Sequence, residues 1–494
     1  MGTYLLGIDI GTTGIKVVLF DKEGNIMGSE YREYPLYTPS PGIAEQDPSE
    51  WISSLVDGIK SLSSSYPDAL KEVSVIGIDG QMHTSALLDR SGNLVRMAIT
   101  WLDQRSKEIV EDLERRPGRE FIFSHTMNFP STTYLLPNLL WIKRYEPEVY
   151  EKIDKVLVAK DYVKYWLTGE VYTDPSDASG TLIFDIEKGI WSEEVLSYFS
   201  LPRKWFPDIA PSTYVVGGLK KDVAALLGMR EGTPVINGSA DHAATYIGGG
   251  VITKDEGAAI IGTAGVLSFM TDRPIPDPTY RMLTWAHGIP NKWLLLGVMQ
   301  TAGASLRWFR EAFSEEGESY EGYSRLAEEV PRGSEGLIFL PFLMGERTPY
   351  WNPLAKGVFY GIAYKHKKGH FIRAIMEGVG FGLRTILEAT ESLGINVRRF
   401  RILGGGSVSK VWQEIIADIL DKSIIVVENK EQAAWGAAIL GGVGVGIFES
   451  FEDAINGKIQ IDKEITPLHT EEYEKNYAIY KELYEVLKPI YERA

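Results

Sequence analysis

At 494 residues the chain exceeds what one hydrophobic core ordinarily serves, so two lobes are expected. Hydrophobic residues make up 44% and charged residues 24%, a globular balance, and the formal net charge of -16 opposes non-specific contact with nucleic acid. The absence of cysteine excludes disulfides, thiolate metal sites and cysteine nucleophiles.

Tyr4 to Ile10 is an apolar run that ends in a carboxylate and a glycine turn, and Ile15 to Phe20 is again strand-like. Asp21 to Asn25 reads as a hairpin turn and Ile26 onward as a third strand, so the chain opens as a meander. Asp9 and Lys16 interrupt any signal-like start, and no apolar run approaches the ~18 residues of a membrane span. A cytoplasmic protein without a membrane partner is expected. Asp47-Pro48 looks like a helix cap with proline at the first helical position, followed by Trp51, Leu55, Ile59 and Leu62 at helical spacing. Val73 to Ile78 is a buried strand closing on Asp79-Gly80, and alternation continues with a helix at 134–145, a strand at 155–158 and a helix from Asp161. That alternation is α/β grammar.

Pro234 to Asn237 reads as a strand, Gly238 to Asp241 as a turn, and His242 onward as a helix. Ala258 to Ile261 then runs into Gly262-Thr263-Ala264-Gly265 and the apolar stretch Val266 to Met270, which repeats the opening pattern. The two Gly-Thr turns lie 251 positions apart, about half the chain, and predict two related lobes, 1–245 and 246–494. The second lobe is expected to carry a helix after Gln300, a long helix at 369–393, a strand at 400–403 and a helix at 409–420. A last helix is expected at 470–492.

The turn Gly11-Thr12-Thr13-Gly14 can aim backbone N–H groups and two hydroxyls at an anion, with Asp9 beside it able to hold a magnesium-like cation. An ordinary hairpin explains that loop equally well. Its counterpart at Gly262-Thr263, together with the run Gly404-Gly405-Gly406-Ser407, favours a nucleotide tail held by several exposed backbones. No Gly-x-x-x-x-Gly-Lys-Ser/Thr or Gly-x-Gly-x-x-Gly motif supports a P-loop or nicotinamide fold, and the seven histidines read as scattered without His-x-x-x-His spacing, so no zinc enzyme is expected. Asp241, where a strand gives way to a helix, reads as a cap or as the carboxylate that accepts a hydroxyl proton during phosphoryl transfer. Gln81-Met82-His83 and Trp101 to Arg105 supply amide, imidazole, carboxylate and indole groups suited to a polyol, although on their own His83 and Trp101 read more readily as core residues.

These residues resemble the FGGY carbohydrate kinases along nearly the whole chain. The resemblance rests on Gly7 to Thr13, Gly80 to His83, Trp101 to Arg105, Asp241, Gly262-Thr263, Phe339 to Pro349, Glu377-Gly378 and Gly404 to Ser407. It implies an α/β fold of two actin-like, ribonuclease-H-like lobes with an ATP and sugar cleft between them. It further implies Asp241 as catalytic base and Asp9 as the magnesium-supporting carboxylate. Gln81, Met82, His83, Trp101, Asp103 and His242 would lie around the sugar, and Gly11, Thr12, Thr13, Gly262, Thr263, Gly303, Gly404, Gly405, Gly406 and Ser407 around ATP. Homodimerisation is the candidate assembly. The members that phosphorylate xylulose are most similar, which makes D-xylulose the expected acceptor and xylulose 5-phosphate the product. Leu102 stands where they carry asparagine, Thr84 where they carry glycine, and His242 beside the base where they carry asparagine. Gluconate or another ketose or polyol therefore stays open, as does an actin-like ATPase without sugar transfer.

Overall fold

The computed structural model describes residues 3–313, 318–428, 431–459 and 461–493. The first lobe is built on β1 (Tyr4–Ile10), β2 (Gly14–Asp21) and β3 (Ile26–Glu33), an antiparallel meander. Helix α1 (Pro48–Ser65) follows; the Asp47 carboxylate accepts the Ser49 N–H, Pro48 opens the first turn, and Trp51, Leu55, Ile59 and Leu62 bury one face. Next come β4 (Val73–Gly80), helix α2 (Ala159–Thr168) and the short helix α3 (Pro175–Ser179). Then β5 (Val215–Gly218), β6 (Pro234–Ile236) and the two-residue β7 (Ser239–Ala240) lead directly into helix α4 (Asp241–Gly248). These strands form one seven-stranded sheet in the order β5-β6-β4-β1-β2-β3, with β7 on β4.

The second lobe repeats that plan with β8 (Glu256–Ile261), β9 (Gly265–Thr271), β10 (Leu283–Ala286) and β11 (Trp293–Met299). Helices α5 (Gly303–Phe313) and α6 (Lys368–Glu391) precede β12 (Arg399–Leu403). The chain finishes with α7 (Lys410–Leu420), β13 (Ser423–Val427), α8 (Gln432–Gly444), β14 (Ile461–Ile465) and α9 (Glu471–Tyr491). The sheet order is β10-β11-β9-β8-β12-β13-β14. Reading outward from β1 and from β8, each sheet has an antiparallel hairpin on one side and two parallel neighbours on the other. The repeat inferred from the two Gly-Thr turns is thus a repeat of topology.

The lobes are closed by an exchange of helices. Apolar residues run all round α8, which marks a helix buried on every side. Its Ala434, Trp435, Ala438 and Ile439 pack on Leu5, Val18, Phe20 and Val75 of the first sheet, while Tyr246 of α4 packs with Ala258, Met270 and Leu403 of the second. The two helices touch backbone to backbone: a Cβ on Gly436 would stand 1.9 Å from the Ala244 carbonyl oxygen. Helix α4, which opens with Asp241, is thereby wedged between the two cores. Among the described residues no helix is long and apolar enough to cross a membrane.

Candidate active site

The two Gly-Thr turns end the first strands of their sheets and are tied down by their carbonyl oxygens. Gly11 O accepts the Tyr34 hydroxyl and Gln81 Nε2, and Thr12 O accepts Gln46 Nε2 at 2.6 Å. Gln46 in turn accepts from Gln81 at 2.7 Å and from the Trp51 indole at 3.2 Å. In the second turn, Gly262 O accepts Gly303 N, and Thr263 O accepts the N–H groups of Ala302 and Ala304. Among the described residues the amides of Thr12 and Thr13, and of Thr263 and Ala264, meet no backbone acceptor. Carbonyls turned inward and paired amides turned outward are the requirements of an anion cradle, and here they occur once per lobe. Gly303 fits because a Cβ there would lie 2.5 Å from Gly262 O, and Gly404 because its φ of 85° is left-handed.

A cavity of about 210 Å³ opens beside the first turn. Thr12, Met82, His83, Trp101, Asp241 and His242 line it from the first lobe; Trp285, Arg347 and Trp351 come from the second. Trp101 Nε1 donates to Thr12 Oγ1 at 2.9 Å, so the indole wall and the anion turn move as one piece. His83 holds a left-handed φ of 67° and its Nδ1 lies 2.7 Å from Gly180 O. Burial lowers its pKa to about 4, so the ring is neutral; Nδ1 carries the proton and Nε2 is left as an acceptor. Both ring nitrogens of His242 are buried without a partner, the ring standing edge-on to Trp285 at 4.8 Å, and burial lowers its pKa to about 3. Neutral imidazoles of this kind hydrogen-bond hydroxyls rather than repel cations.

Three carboxylates gather where the cavity meets the turn. Asp241 opens α4, accepts the N–H of His242 at 2.7 Å, and has its pKa raised to about 7 by burial first and the charge of Asp9 second. Asp9 ends β1 directly opposite Asp79 of β4, and burial raises its pKa too. Asp79 is fully buried, its oxygens meet only the Asp9 carboxyl and no donor or cation among the described residues, and burial followed by the Asp9 charge lifts it well above the carboxylate range. All-oxygen donors with orphaned lone pairs fit a hard divalent cation such as Mg²⁺. Against the reading of scattered histidines, His366 and His370 do stand at His-x-x-x-His spacing with their rings 5.2 Å apart, yet among the described residues no group of three or more acidic or histidine side chains is arranged to hold a metal ion by itself.

A second cavity of about 740 Å³ lies beyond the Gly262-Thr263 turn and is lined by Gly303, Gly405, Gly406, Arg307, Tyr320 and Trp412 among others. Gly405 faces open space, whereas Gly406 is packed so that a Cβ would meet Ile261 at 2.3 Å. Gly404 does not line this cavity. The side chain of Ser407 lies outside the described residues.

Several residues stand elsewhere than the sequence pattern implies. Asp103 is fully buried and its oxygens are taken by Ala44 N, Arg105 N, Arg105 Nε and Arg105 Nη2, so it braces a loop behind the cavity. Gln81 and Thr84 are buried too; the amide of one holds the anion turn and the hydroxyl of the other donates to Gln81 Oε1 at 3.1 Å. Leu102 is 38% exposed and does not line the cavity, so its exchange for asparagine does not alter the cavity wall. Glu377 and Gly378 serve packing: Glu377 joins Arg373, Ser334 and Tyr473, and a Cβ on Gly378 would sit 2.3 Å from Phe339 O. Conversely, Trp285, Trp351 and Tyr134 carry no local signature, and Arg347 stood in the motif Gly345-Glu346-Arg347 without a role assigned to it.

Two anion turns on duplicated lobes, with a polyol-sized cavity and a carboxylate between them, define a phosphotransferase of the actin-like class. The chain belongs to the FGGY family of carbohydrate kinases: the model of the family's N-terminal domain matches residues 4–248 and that of its C-terminal domain residues 257–445. Among its relatives is the xylulose kinase of Lactococcus lactis subsp. lactis (strain IL1403), 34% identical over 99% of this chain and 96% of that protein. The structure of a ligand-bound xylulose kinase from Lactobacillus acidophilus superposes with a TM-score of 0.94 at 28% identity, covering 99% of each chain. A gluconate kinase from the same species superposes equally well, with a TM-score of 0.94, 28% identity and all of both chains covered.

Proposed function

We propose that this carbohydrate kinase transfers the terminal phosphate of ATP to a terminal hydroxyl of a ketopentose, D-xylulose, giving xylulose 5-phosphate. The observation that carries the reading is the shared wall: Thr12 belongs both to the anion turn and to the 210 Å³ cavity, with Asp241 facing the same space. A hydroxyl bound there lies beside a carboxylate able to take its proton, and next to amides that hold phosphate oxygens. The relatives that act on xylulose supply the choice of acceptor.

In this mechanism His83 Nε2 and the free nitrogens of His242 orient hydroxyls, and the Trp101 and Trp285 faces cover the sugar's C–H surface. Asp241 accepts the proton of the attacking oxygen. The amides of Thr12, Thr13, Thr263 and Ala264 fix the phosphate chain from both lobes, Gly405 and Gly406 flank the adenosine, and closure of the lobes excludes water. Mg²⁺, held near Asp9, would neutralise charge on the phosphates. Replacing Asp241 by Asn tests the assignment: kcat should fall on the order of 10²–10⁴-fold while ADP affinity stays near wild type. A variant with near-normal kcat would remove Asp241 from the role of base.

One observation favours a second acceptor class. The Arg347 guanidinium enters the cavity with no hydrogen bond or ion pair to another side chain among the described residues, and neighbouring Glu346 spends one oxygen on Gln300 N and Arg347 N. Burial raises the Glu346 pKa to about 8, so it does not neutralise that cation at pH 7. An unpaired guanidinium suits the carboxylate of an aldonate such as gluconate.

A further inference from the structure

Asp79 has no part in the mechanism above, and its setting is costly. Three deeply buried acids, Asp103, Asp277 and Glu377, are each at most 1% exposed and each accept four hydrogen bonds, and Asp177, 1% exposed with neither oxygen hydrogen-bonded, is ion-paired to Lys160 at 3.0 Å. Asp79 is equally buried, and among the described residues its oxygens meet no N–H or O–H donor and no cation, only the carboxyl group of Asp9. A buried carboxyl without a donor is strongly disfavoured, so an orphan of this kind marks a missing partner.

The geometry narrows what that partner is. Asp79 pairs in register with Asp9 across two parallel strands, so their side chains leave the same face of the sheet side by side. On the far side of Asp9 the register partner is Lys16, whose ammonium is engaged by Glu431 at 2.7 Å. On the far side of Asp79 it is Ser239, whose hydroxyl donates to the carbonyl of Ala240. Among the described residues neither of the two adjacent carboxylates has an ion pair, and they stand next to a turn whose Thr12 and Thr13 amides have no backbone acceptor. Magnesium bound with a nucleotide typically takes one or two carboxylates and fills its shell with phosphate oxygens and water. We propose that Asp79 is, with Asp9, a carboxylate of the divalent-cation site that accompanies the nucleotide. The assignment rests on the phosphotransfer reading only for the presence of a metal nucleotide.

The test uses Mn²⁺ as the probe, titrated by electron paramagnetic resonance into the full-length, ADP-saturated protein without acceptor, for the wild type, Asp79→Asn, Asp79→Ala and Asp9→Asn. Both Asp79 variants should bind Mn²⁺ at least about ten-fold more weakly, as loss of a metal-supporting group does, with metal-free ADP affinity unchanged. In the metal-free state their Tm should rise, because the orphan carboxyl is gone. Wild-type Mn²⁺ affinity in either folded Asp79 variant overturns the proposal, as does failure of both to fold, since their removal of an unpaired acid should stabilise the apo chain. If Asp9→Asn weakens Mn²⁺ and the Asp79 variants do not, Asp79 is discarded and the phosphotransfer reading stands. If none of the three weakens it, the cation site itself is misplaced, again without bearing on Asp241.

Discussion

At the scale of single residues the proposed mechanism keeps charge off the groups that would touch the sugar and concentrates it where the proton and the phosphate would go. His83 and His242 are held neutral by burial, while Asp241 is tuned upward by burial and by Asp9. An acid raised to about 7 is ionised, and thus able to take a proton, only above that pH. The acceptor kcat/KM should therefore climb about ten-fold per pH unit below 7 and level off above it. A pH profile whose acid limb lies near 4 would show that the cleft leaves Asp241 an ordinary carboxylate. The anion turns were legible in the sequence because Gly-Thr-x-Gly after an apolar run is local information. The saturation of Asp103 was not, since it depends on Ala44 folding back over it; nor was the isolation of Asp79, which exists only once β4 pairs with β1.

At the scale of elements, what positions Asp241 is the contact between α4 and α8, two helices from opposite halves of the chain. Gly436 has no space for a methyl group: its Cβ would lie 1.9 Å from a backbone oxygen of α4, a neighbour that yields only if the helix shifts. Gly436→Ala should cost about 1–3 kcal/mol of stability by overpacking, visible as a lower Tm, and should lower kcat more than it weakens ADP binding because Asp241, the proposed base, rides on α4. Wild-type Tm and kcat together would mean that the helices slide freely. The elements themselves followed from pattern. Asp47-Pro48 starts α1 where a cap and a first-turn proline predict it, and the strands at 4–10, 73–80 and 256–261 are short apolar runs that end at turn residues. The helix exchange was invisible, because an all-apolar stretch such as α8 says that it is buried without saying in which lobe.

At the scale of the whole molecule, the duplicated sheets put one anion turn on each side of a cleft and complete the acceptor cavity only across it. Trp285, Arg347 and Trp351 reach the cavity from the second lobe. This is why the acceptor was the least readable property of the chain: half of the wall that chooses it comes from residues more than a hundred positions away from Gln81 to His83. Of the three substitutions that drew notice, Leu102 and Thr84 turn out to face solvent and core, and His242 lines the cavity. The choice instead falls to neutral histidines, which suit a polyol, set against Arg347, which suits an acid. The most direct measurement is kcat/KM, by ADP release, for D-xylulose, gluconate, ribulose and glycerol under one set of conditions. The account predicts that D-xylulose leads the panel by at least about ten-fold, a difference of roughly 1.4 kcal/mol in transition-state binding. Gluconate leading by that margin would contradict it.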